Sequence, residues 1–247
     1  MFKKLLVSVL CVLISVCVLF GCSSETDVSS SEVSETEIIS KISEPTANAE
    51  TQTITDSVGR SVEIPNPVAS CVVANAYNTE IINAIGALDR VIGVDYNIYQ
   101  DKESWKNAFT EDMVIGKDQK DLNYEKIIEL NPQVIILTGN GTYEEAENQL
   151  EPFGIKVIVC VAYYTDPFEE NCRLLGQVFG KEDEAKELSD YFMDKLNYIS
   201  SQLEGVKKKT LYFEYRTEGN TTVPGNLFLN MVEFSDAENI FEDSENV

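Results

Sequence analysis

The chain has 247 residues, of which 43% are hydrophobic and 9% aromatic, enough for one sizeable core or two small ones. Acidic residues outnumber basic ones 42 to 19, and a net charge of −23 argues against nucleic acid as a partner, since that partner requires clustered Lys and Arg. The sequence has no histidine, which removes His-based catalysis and the common His metal sites.

The first residues have the features of a secretion leader. Two lysines precede an uninterrupted apolar stretch at 5–20, which is shorter than the ~20 residues of a spanning helix. The stretch ends in Leu19-Phe20-Gly21-Cys22, which resembles a bacterial lipobox, so residues 1–21 are predicted to be a lipoprotein signal peptide and Cys22 the lipidated residue. The alternative is an uncleaved N-terminal anchor. Both place the rest of the protein outside the cytoplasmic membrane, attached to it.

Residues 22–52 are rich in Ser, Thr and Glu and are predicted to form a flexible acidic linker, because they cannot bury enough apolar surface to fold. Three cysteines follow the linker, namely Cys71, Cys160 and Cys172. An odd number leaves at least one of them unpaired in a monomer. We expect Cys71 and Cys160, which lie in apolar runs, to be small buried hydrophobic residues.

Short apolar strands alternate with helices over residues 53–180, which predicts an N-terminal α/β lobe with a parallel sheet. The lobe opens with a hairpin that turns at Gly59. Four strands are predicted, at Cys71–Ala74, Val91–Val94, Val134–Leu137 and Lys156–Val161. The helices are predicted at Thr79–Leu88, Tyr124–Leu130 with Asn123 as its cap, Tyr143–Leu150 and Asp166–Phe179, with a loop over Asn75–Asn78.

A long helical pattern covers 181–204, where apolar residues recur at threes and fours. A helix of this length spans roughly 35 Å, which suits a rigid connector between two lobes. Residues 205–247 then form a partial C-terminal lobe, with a strand at Leu211–Phe213 and an apolar helix near Leu227–Phe234. The predicted fold class is α/β, two α/β lobes joined by one long helix, with the second lobe incomplete.

Four segments, in this order along the chain, resemble the periplasmic-binding-protein family that serves ABC importers of ferric siderophores, haem and cobalamin. They are Thr55–Pro65, Thr79–Val94, Tyr124–Ile135 and Val232–Phe241. The resemblance implies a ligand held between two lobes and a permease in the membrane as partner. It also implies that Glu80 and Glu233, one on each lobe, dock onto that permease.

The chain departs from the family in two places. Asp236-Ala237 stands where the family usually has two glycines, which reach backbone angles that Asp and Ala disfavour. The second lobe is also much shorter than the family's, so we expect a C-terminally truncated sequence that does not necessarily close on a ligand.

Ligands of parallel sheets meet the loops after the carboxyl ends of the strands. Aromatic side chains there would suit a large, rigid metal chelate. The candidate ligand-binding residues are Tyr77, Tyr96, Tyr99, Trp105, Asn140, Tyr163, Tyr164, Tyr215 and Arg216. Few positive charges disfavour an anionic catecholate complex and favour neutral hydroxamates or corrinoids, while a tyrosine could ligate haem iron. No resident cofactor and no direct metal site are expected.

The leading functional hypothesis is a monomeric, lipid-anchored solute-binding protein that delivers an iron–siderophore or related chelate to an ABC permease without catalysing a reaction. One alternative is a chelatase-like enzyme on a similar fold, which the absence of histidine and of nucleotide and nucleophile motifs disfavours. The other is a truncated surface lipoprotein that transports nothing.

Overall fold

An antiparallel hairpin opens the part of the chain that the computed structural model describes, which comprises residues 50–162, 167–214, 217–221, 232 and 234–241. Strand β1 (Thr51–Thr55) pairs with β2 (Ser61–Pro65). Gly59 lies in the turn with a φ of +81°, a left-handed angle that glycine adopts readily. The predicted hairpin is confirmed.

The centre of the lobe is a four-stranded parallel sheet with the order β4-β3-β5-β6. Its strands are β3 (Cys71–Val73), β4 (Val91–Val94), β5 (Val134–Leu137) and β6 (Lys156–Val159). Side chains alternate along each strand, so Cys71 and Val73 enter one core cluster while Val72 enters the other. Both faces of the sheet are covered, which confirms the predicted α/β class.

Seven α-helices lie in the described ranges. They are α1 (Ala76–Ala84), α2 (Tyr96–Gln100), α3 (Lys102–Trp105), α4 (Tyr124–Leu130), α5 (Tyr143–Leu150), α6 (Phe168–Phe179) and α7 (Glu182–Leu203), with short 3-10 turns at Leu88–Arg90, Glu111–Met113 and Glu151–Phe153. The predicted bounds of α4 and α5 are confirmed. No helix in these ranges combines the length and the apolar character that crossing a membrane requires.

The start of α1 corrects the sequence-based prediction of a loop over Asn75–Asn78. Asn75 caps the helix, since its Oδ1 accepts the backbone N–H of Asn78 at 2.9 Å. The helix therefore begins three residues earlier than predicted. It ends before Gly86, whose φ is +74°, instead of continuing to Leu88.

The hairpin turn protects the open edge of the sheet. Strand β6 is an edge strand, and an edge strand exposes unpaired backbone groups. The backbone N–H of Ser57 donates to the carbonyl of Val159 at 2.9 Å, and the N–H of Val159 donates to Asp56 Oδ2 at 3.2 Å. Arg60 reaches the carbonyl of Val157 at 3.0 Å. The turn thus satisfies groups that a neighbouring strand would otherwise pair.

The three described cysteines are buried and unpaired. Cys71, Cys160 and Cys172 have no exposed surface. The expectation that Cys71 and Cys160 are buried hydrophobic residues is confirmed.

A long helix follows α6. Gly180, with a φ of +64°, ends α6, and α7 then runs for 22 residues. Ala185 is fully buried and Phe192 packs on Phe168 with ring centroids 4.2 Å apart, whereas Ile199 near the far end is 46% exposed. The first half of α7 is therefore part of the lobe's core, and the second half leads away from it.

Beyond α7, β7 (Lys209–Leu211) pairs in parallel with β8 (Ala237–Asn239). Strand β7 begins two residues before the predicted strand, and most of the helix predicted near Leu227–Phe234 lies outside the described residues. Asp236, at the position where a glycine was expected, has a φ of +49°. The chain is thus an α/β protein in which one long helix joins a lobe to part of a second lobe.

Candidate ligand site at the carboxyl edge of the sheet

A cavity of about 270 Å³ opens where the strand order reverses. The chain passes from β3 to β4 on one side and later returns to β5 on the other side of β3. Such a reversal leaves a crevice at the carboxyl ends of the strands, where α/β proteins bind ligands. The polar side chains that line it are Asn75, Asp95, Asn97, Asp101, Asp118 and Gln119.

Asn75 lies two residues after the end of β3 and is 8% exposed. Its Oδ1 is used to cap α1, but its buried Nδ2 has no hydrogen-bond partner among the described residues. A buried donor without an acceptor is costly in a folded protein. The Asn75 side chain therefore caps α1 at the cavity wall, and its Nδ2 is too deeply buried to meet a ligand in the cavity.

Asp95 follows β4 and caps α2, accepting the N–H of Ile98 at 3.0 Å. It is 3% exposed, and burial raises the pKa of its carboxyl, an effect to which the nearby charge of Asp118 adds and which hydrogen bonds from backbone N–H groups oppose. Asp101 caps α3, and hydrogen bonds from the side chain and backbone of Ser104 lower its pKa. The two carboxylates thus have opposite pKa shifts in one cavity.

The loop between the 3-10 turn at Glu111–Met113 and α4 brings Asp118 and Gln119 to the cavity. Gly116 starts its tight turn with a φ of +146°, and a Cβ added there would lie 2.2 Å from the carbonyl oxygen of Asp121. Gln119 Oε1 accepts the backbone N–H of Thr138 at 3.1 Å and its hydroxyl at 2.6 Å. Since Thr138 follows β5, this side chain ties the loop to the end of that strand.

Comparison with known families matches residues 71–241 to the periplasmic binding proteins. The match covers more than half of the chain. The chain belongs to the periplasmic-binding-protein family. The resemblance inferred from the sequence is thereby confirmed.

A relative in Bacillus subtilis (strain 168) is YvrC, described as an uncharacterized ABC transporter substrate-binding lipoprotein. It is 27% identical over 168 residues, which are 66% of this chain and 51% of YvrC. The chain therefore spans about half the length of this relative.

Two solved periplasmic binding proteins have the same fold. MolA, a molybdate periplasmic binding protein of a Haemophilus influenzae ABC transporter, has a TM-score of 0.66 and 21% identity over 78% of this chain and 67% of its own. FepB of Veillonella parvula, described as TroA-like, has a TM-score of 0.61 and 20% identity over 78% of this chain and 63% of its own. At this level of identity the likeness is one of fold.

The structure places four predicted ligand residues around this edge. Trp105, at the end of α3, lines the cavity but is 8% exposed and packs on Phe109 with ring centroids 5.8 Å apart, so it is mainly a core residue. Tyr77 in the first turn of α1 is 53% exposed, and Tyr96 at the start of α2 is 43% exposed. Tyr99 is half-buried, with the Lys102 Nζ 3.4 Å from its ring centroid.

Two other predicted residues lie in the described part of the chain, Asn140 and Glu80, and neither lines the cavity. Asn140 lies in the loop after β5, where its Oδ1 accepts the Thr142 hydroxyl at 2.8 Å. Glu80 is exposed on α1. Partial desolvation of its carboxyl by neighbouring atoms, followed by the charge of Asp101, raises its pKa. The predicted residues outside the described part of the chain are Tyr163, Tyr164, Tyr215, Arg216, Glu233 and Cys22.

The sequence reasoning missed the polar lining of the cavity. Asn75 and Asp95 stand directly after two predicted strands, and that position was a usable signal. Asp118 and Gln119 carried no such signal, since their loop follows no strand and is placed by its bonds to Thr138. No three acidic or cysteine side chains in the described ranges come together in a way that could hold a metal ion.

Proposed function

We propose that this protein is the lipid-anchored solute-binding protein of an ABC importer, capturing an iron–siderophore or related metal chelate, such as haem or cobalamin, and delivering it to the permease. The observation that carries the proposal is the family match over 71–241, together with a cavity of about 270 Å³ at the carboxyl edge of the sheet. The protein works outside the cytoplasm as a monomer and makes or breaks no bond in its ligand.

Ligand capture is tested by titrating the purified full chain with ferric hydroxamates, a ferric catecholate, haem, cobalamin and molybdate. Because Trp105 lines the cavity, its emission should be quenched by a chelate that enters. Saturable quenching by one of the chelates is the expected result. Binding of none of them, or turnover of a metal-free tetrapyrrole, would contradict the proposal.

The lipid anchor depends on Cys22, which is the cysteine of the lipobox-like Leu19–Cys22. The name of the Bacillus relative, a lipoprotein, supports this assignment. Cys22→Ser should abolish labelling by a fatty-acid analogue and release the protein from the membrane fraction. Unchanged labelling would show that the lipid is attached elsewhere.

Permease docking is assigned to Glu80 on the first lobe and to Glu233 on the second. Support for Glu80 comes from its exposure on α1, because an exposed carboxylate can steer and register a basic partner surface. We expect Glu80→Ala to leave chelate affinity unchanged and to reduce uptake in cells by about tenfold, because the loss of an exposed charge slows the electrostatically steered docking encounter. Weakened chelate affinity would instead place Glu80 in the ligand site.

A further inference from the structure

Asn140 and Gly141 form the only Asn-Gly pair in the sequence. They lie in the loop between β5, which ends at Leu137, and α5, which begins at Tyr143. The backbone nitrogen that follows an asparagine can attack the side-chain amide and close a five-membered succinimide ring. A glycine on that nitrogen favours closure, because it has no Cβ to obstruct the ring and adopts most backbone angles. The pair is therefore a candidate site of spontaneous chemistry at the carboxyl edge of the sheet.

The backbone nitrogen of Gly141 can act as the nucleophile. No hydrogen bond between described residues uses its N–H as a donor. Gly141 is exposed and has a φ of +85°, and a Cβ added to it would meet no atom within 4 Å. The loop can therefore change its local geometry without breaking a hydrogen bond of the Gly141 N–H and without displacing a packed neighbour.

Thr142 prepares the Asn140 amide for attack. Its hydroxyl donates to Asn140 Oδ1 at 2.8 Å, and its backbone N–H donates to the same oxygen at 3.3 Å. These two bonds fold the Asn140 side chain over Gly141, since they join that side chain to the residue after the glycine. Negative charge develops on Oδ1 when a nitrogen attacks Cγ, so donors already directed at this oxygen stabilise the transition state. Thr142 thus both orients and polarises the amide.

Asn220 provides an internal comparison, because it is also exposed and lies outside the helices and strands. Asn220-Thr221-Thr222 differs from Asn140-Gly141-Thr142 only in its middle residue. Thr221 is β-branched, so its side chain crowds the backbone nitrogen that would have to attack. The two asparagines therefore compare a glycine with a bulky residue at the reacting nitrogen, within one molecule.

We propose that Asn140 is a site of spontaneous deamidation, in which the Gly141 nitrogen is the nucleophile and Thr142 activates the amide. The bond between the Gly141 nitrogen and Asn140 Cγ forms, the bond from Cγ to Nδ2 breaks, and the proton of the Gly141 N–H leaves with Nδ2 as ammonia. Water then opens the succinimide at either carbonyl, which gives isoaspartate or aspartate. The reaction needs only water as co-reactant, and it does not depend on the proposed solute-binding function.

The product changes the segment that leads into α5. Isoaspartate places an extra methylene in the main chain and replaces a neutral amide by a carboxylate, next to a helix whose first turn already carries Glu144 and Glu145. Because this loop follows the carboxyl end of β5, the modified residue stands at the edge of the sheet where α/β proteins bind ligands. Deamidation thus marks the age of each molecule at that edge.

Peptide mapping of the aged protein tests the assignment. The full chain is incubated at neutral pH and body temperature, and samples taken over time are digested and analysed by mass spectrometry. Deamidation adds the mass of water minus that of ammonia, and an isoaspartyl methyltransferase labels the isoaspartate. We expect Asn140 to convert at least about tenfold faster than Asn220, because ring closure at Gly141 meets no Cβ. Isoaspartate and aspartate should both be found, since they come from one succinimide.

Variants separate the role of the hydroxyl from that of the glycine. Thr142→Val removes the hydroxyl and should slow the conversion about threefold to tenfold, whereas Thr142→Ser keeps it and should leave the rate within about twofold. Neither change removes a helix cap, because the Thr142 side chain makes no capping bond to α5. Asn140→Gln, which would have to close a six-membered ring, is the control that should lose the signal at this position.

The same measurement on chains unfolded in guanidinium chloride shows whether the folded loop matters. The difference between Thr142→Val and the natural sequence should disappear there, because the bonds to Asn140 Oδ1 are held only in the folded protein. Equal rates at Asn140 and Asn220, or aspartate formed without isoaspartate, would overturn the assignment. So would a folded Thr142→Val chain that converts as fast as the natural sequence, or a difference that persists after unfolding. Each outcome is read without a ligand, so a failure of chelate binding leaves this assignment untouched.

Discussion

Exchanging Asp56 for asparagine should cost the lobe far more stability than exchanging Glu147 for glutamine, although both acids pair with Arg60. Asp56 has no exposed side-chain surface, and its Oδ2 accepts Arg60 Nη2 at 2.7 Å, Arg60 Nε at 3.0 Å and the N–H of Val159 at 3.2 Å. Glu147 accepts Arg60 Nη1 at 3.0 Å, but its side chain is 42% exposed. The guanidinium of Arg60 thus forms one ion pair with a buried carboxylate and one with a solvent-exposed carboxylate.

The environment sets the expected magnitudes. In Asp56→Asn an amide NH₂ at the position of Oδ2 would face three donors, and breaking a buried pair costs about 3–5 kcal/mol. In Glu147→Gln the loss is that of a surface pair, about 0–1 kcal/mol. For a chain of this size each kcal/mol corresponds to roughly 2–4 °C in Tm. Asp56→Asn should therefore lower the Tm by about 6–20 °C, and Glu147→Gln by less than about 4 °C.

Thermal unfolding followed by far-ultraviolet circular dichroism measures both Tm shifts. Hydrogen exchange measures the protection of backbone N–H groups at the edge strand β6. Because the N–H of Val159 donates to Asp56, its protection should fall in Asp56→Asn and remain in Glu147→Gln. Similar Tm shifts for the two variants, or unchanged protection of Val159 in the first, would refute the role of the hairpin turn in covering β6.

Two further predictions concern the cavity. Burial raises the pKa of Asp95 above its ordinary value of 3.8, so the folded protein binds a proton at this carboxyl more tightly than the unfolded chain does. The free energy of unfolding should therefore fall as the pH rises from 3.8 through the raised pKa of the folded state. Asp95→Asn should remove this fall and raise the Tm at neutral pH; a lower Tm there would contradict it. Gly116→Ala should cost about 1–3 kcal/mol in denaturant unfolding and weaken chelate binding, because its φ is +146° and its Cβ would meet the carbonyl of Asp121. Gly154→Ala is its control, since Gly154 has a φ of +81° but open space around it, and an equal loss of stability in both would exclude the steric cause.

The regular elements of the lobe were predictable because local signals coincide there. Strand β5 and helix α4 have the bounds expected from an apolar run and from a helix between Asn123 and Pro132. The start of α1 was missed because Asn75 and Asn78 are both turn-forming residues, and their roles differ only through the hydrogen bond between them. Such a bond has no periodic signature in the sequence.

The sequence predicted the location of the candidate site but not the residue types that line it. The carboxyl edge of the sheet was expected to face the ligand, and the cavity lies there. Aromatic residues were chosen because they suit a chelate. Trp105 instead packs inward on Phe109, and the acidic residues Asp95, Asp101 and Asp118 line the opening. Whether a ring faces the core or the opening depends on packing between α2, α3 and the sheet, which the spacing of tyrosines does not encode.

The three buried cysteines can report local opening of the lobe, because each thiol becomes accessible when its surroundings unfold. Burial raises the pKa of Cys172 to about 12 and also raises the pKa of Cys71 and of Cys160. Since the thiolate is the reactive form, alkylating reagents and oxidants reach these sulfurs when the surrounding element separates. The rate of modification at each cysteine would then measure the rate of local opening at β3, at the end of β6 and at α6 separately. All three rates come from one protein, without an added label.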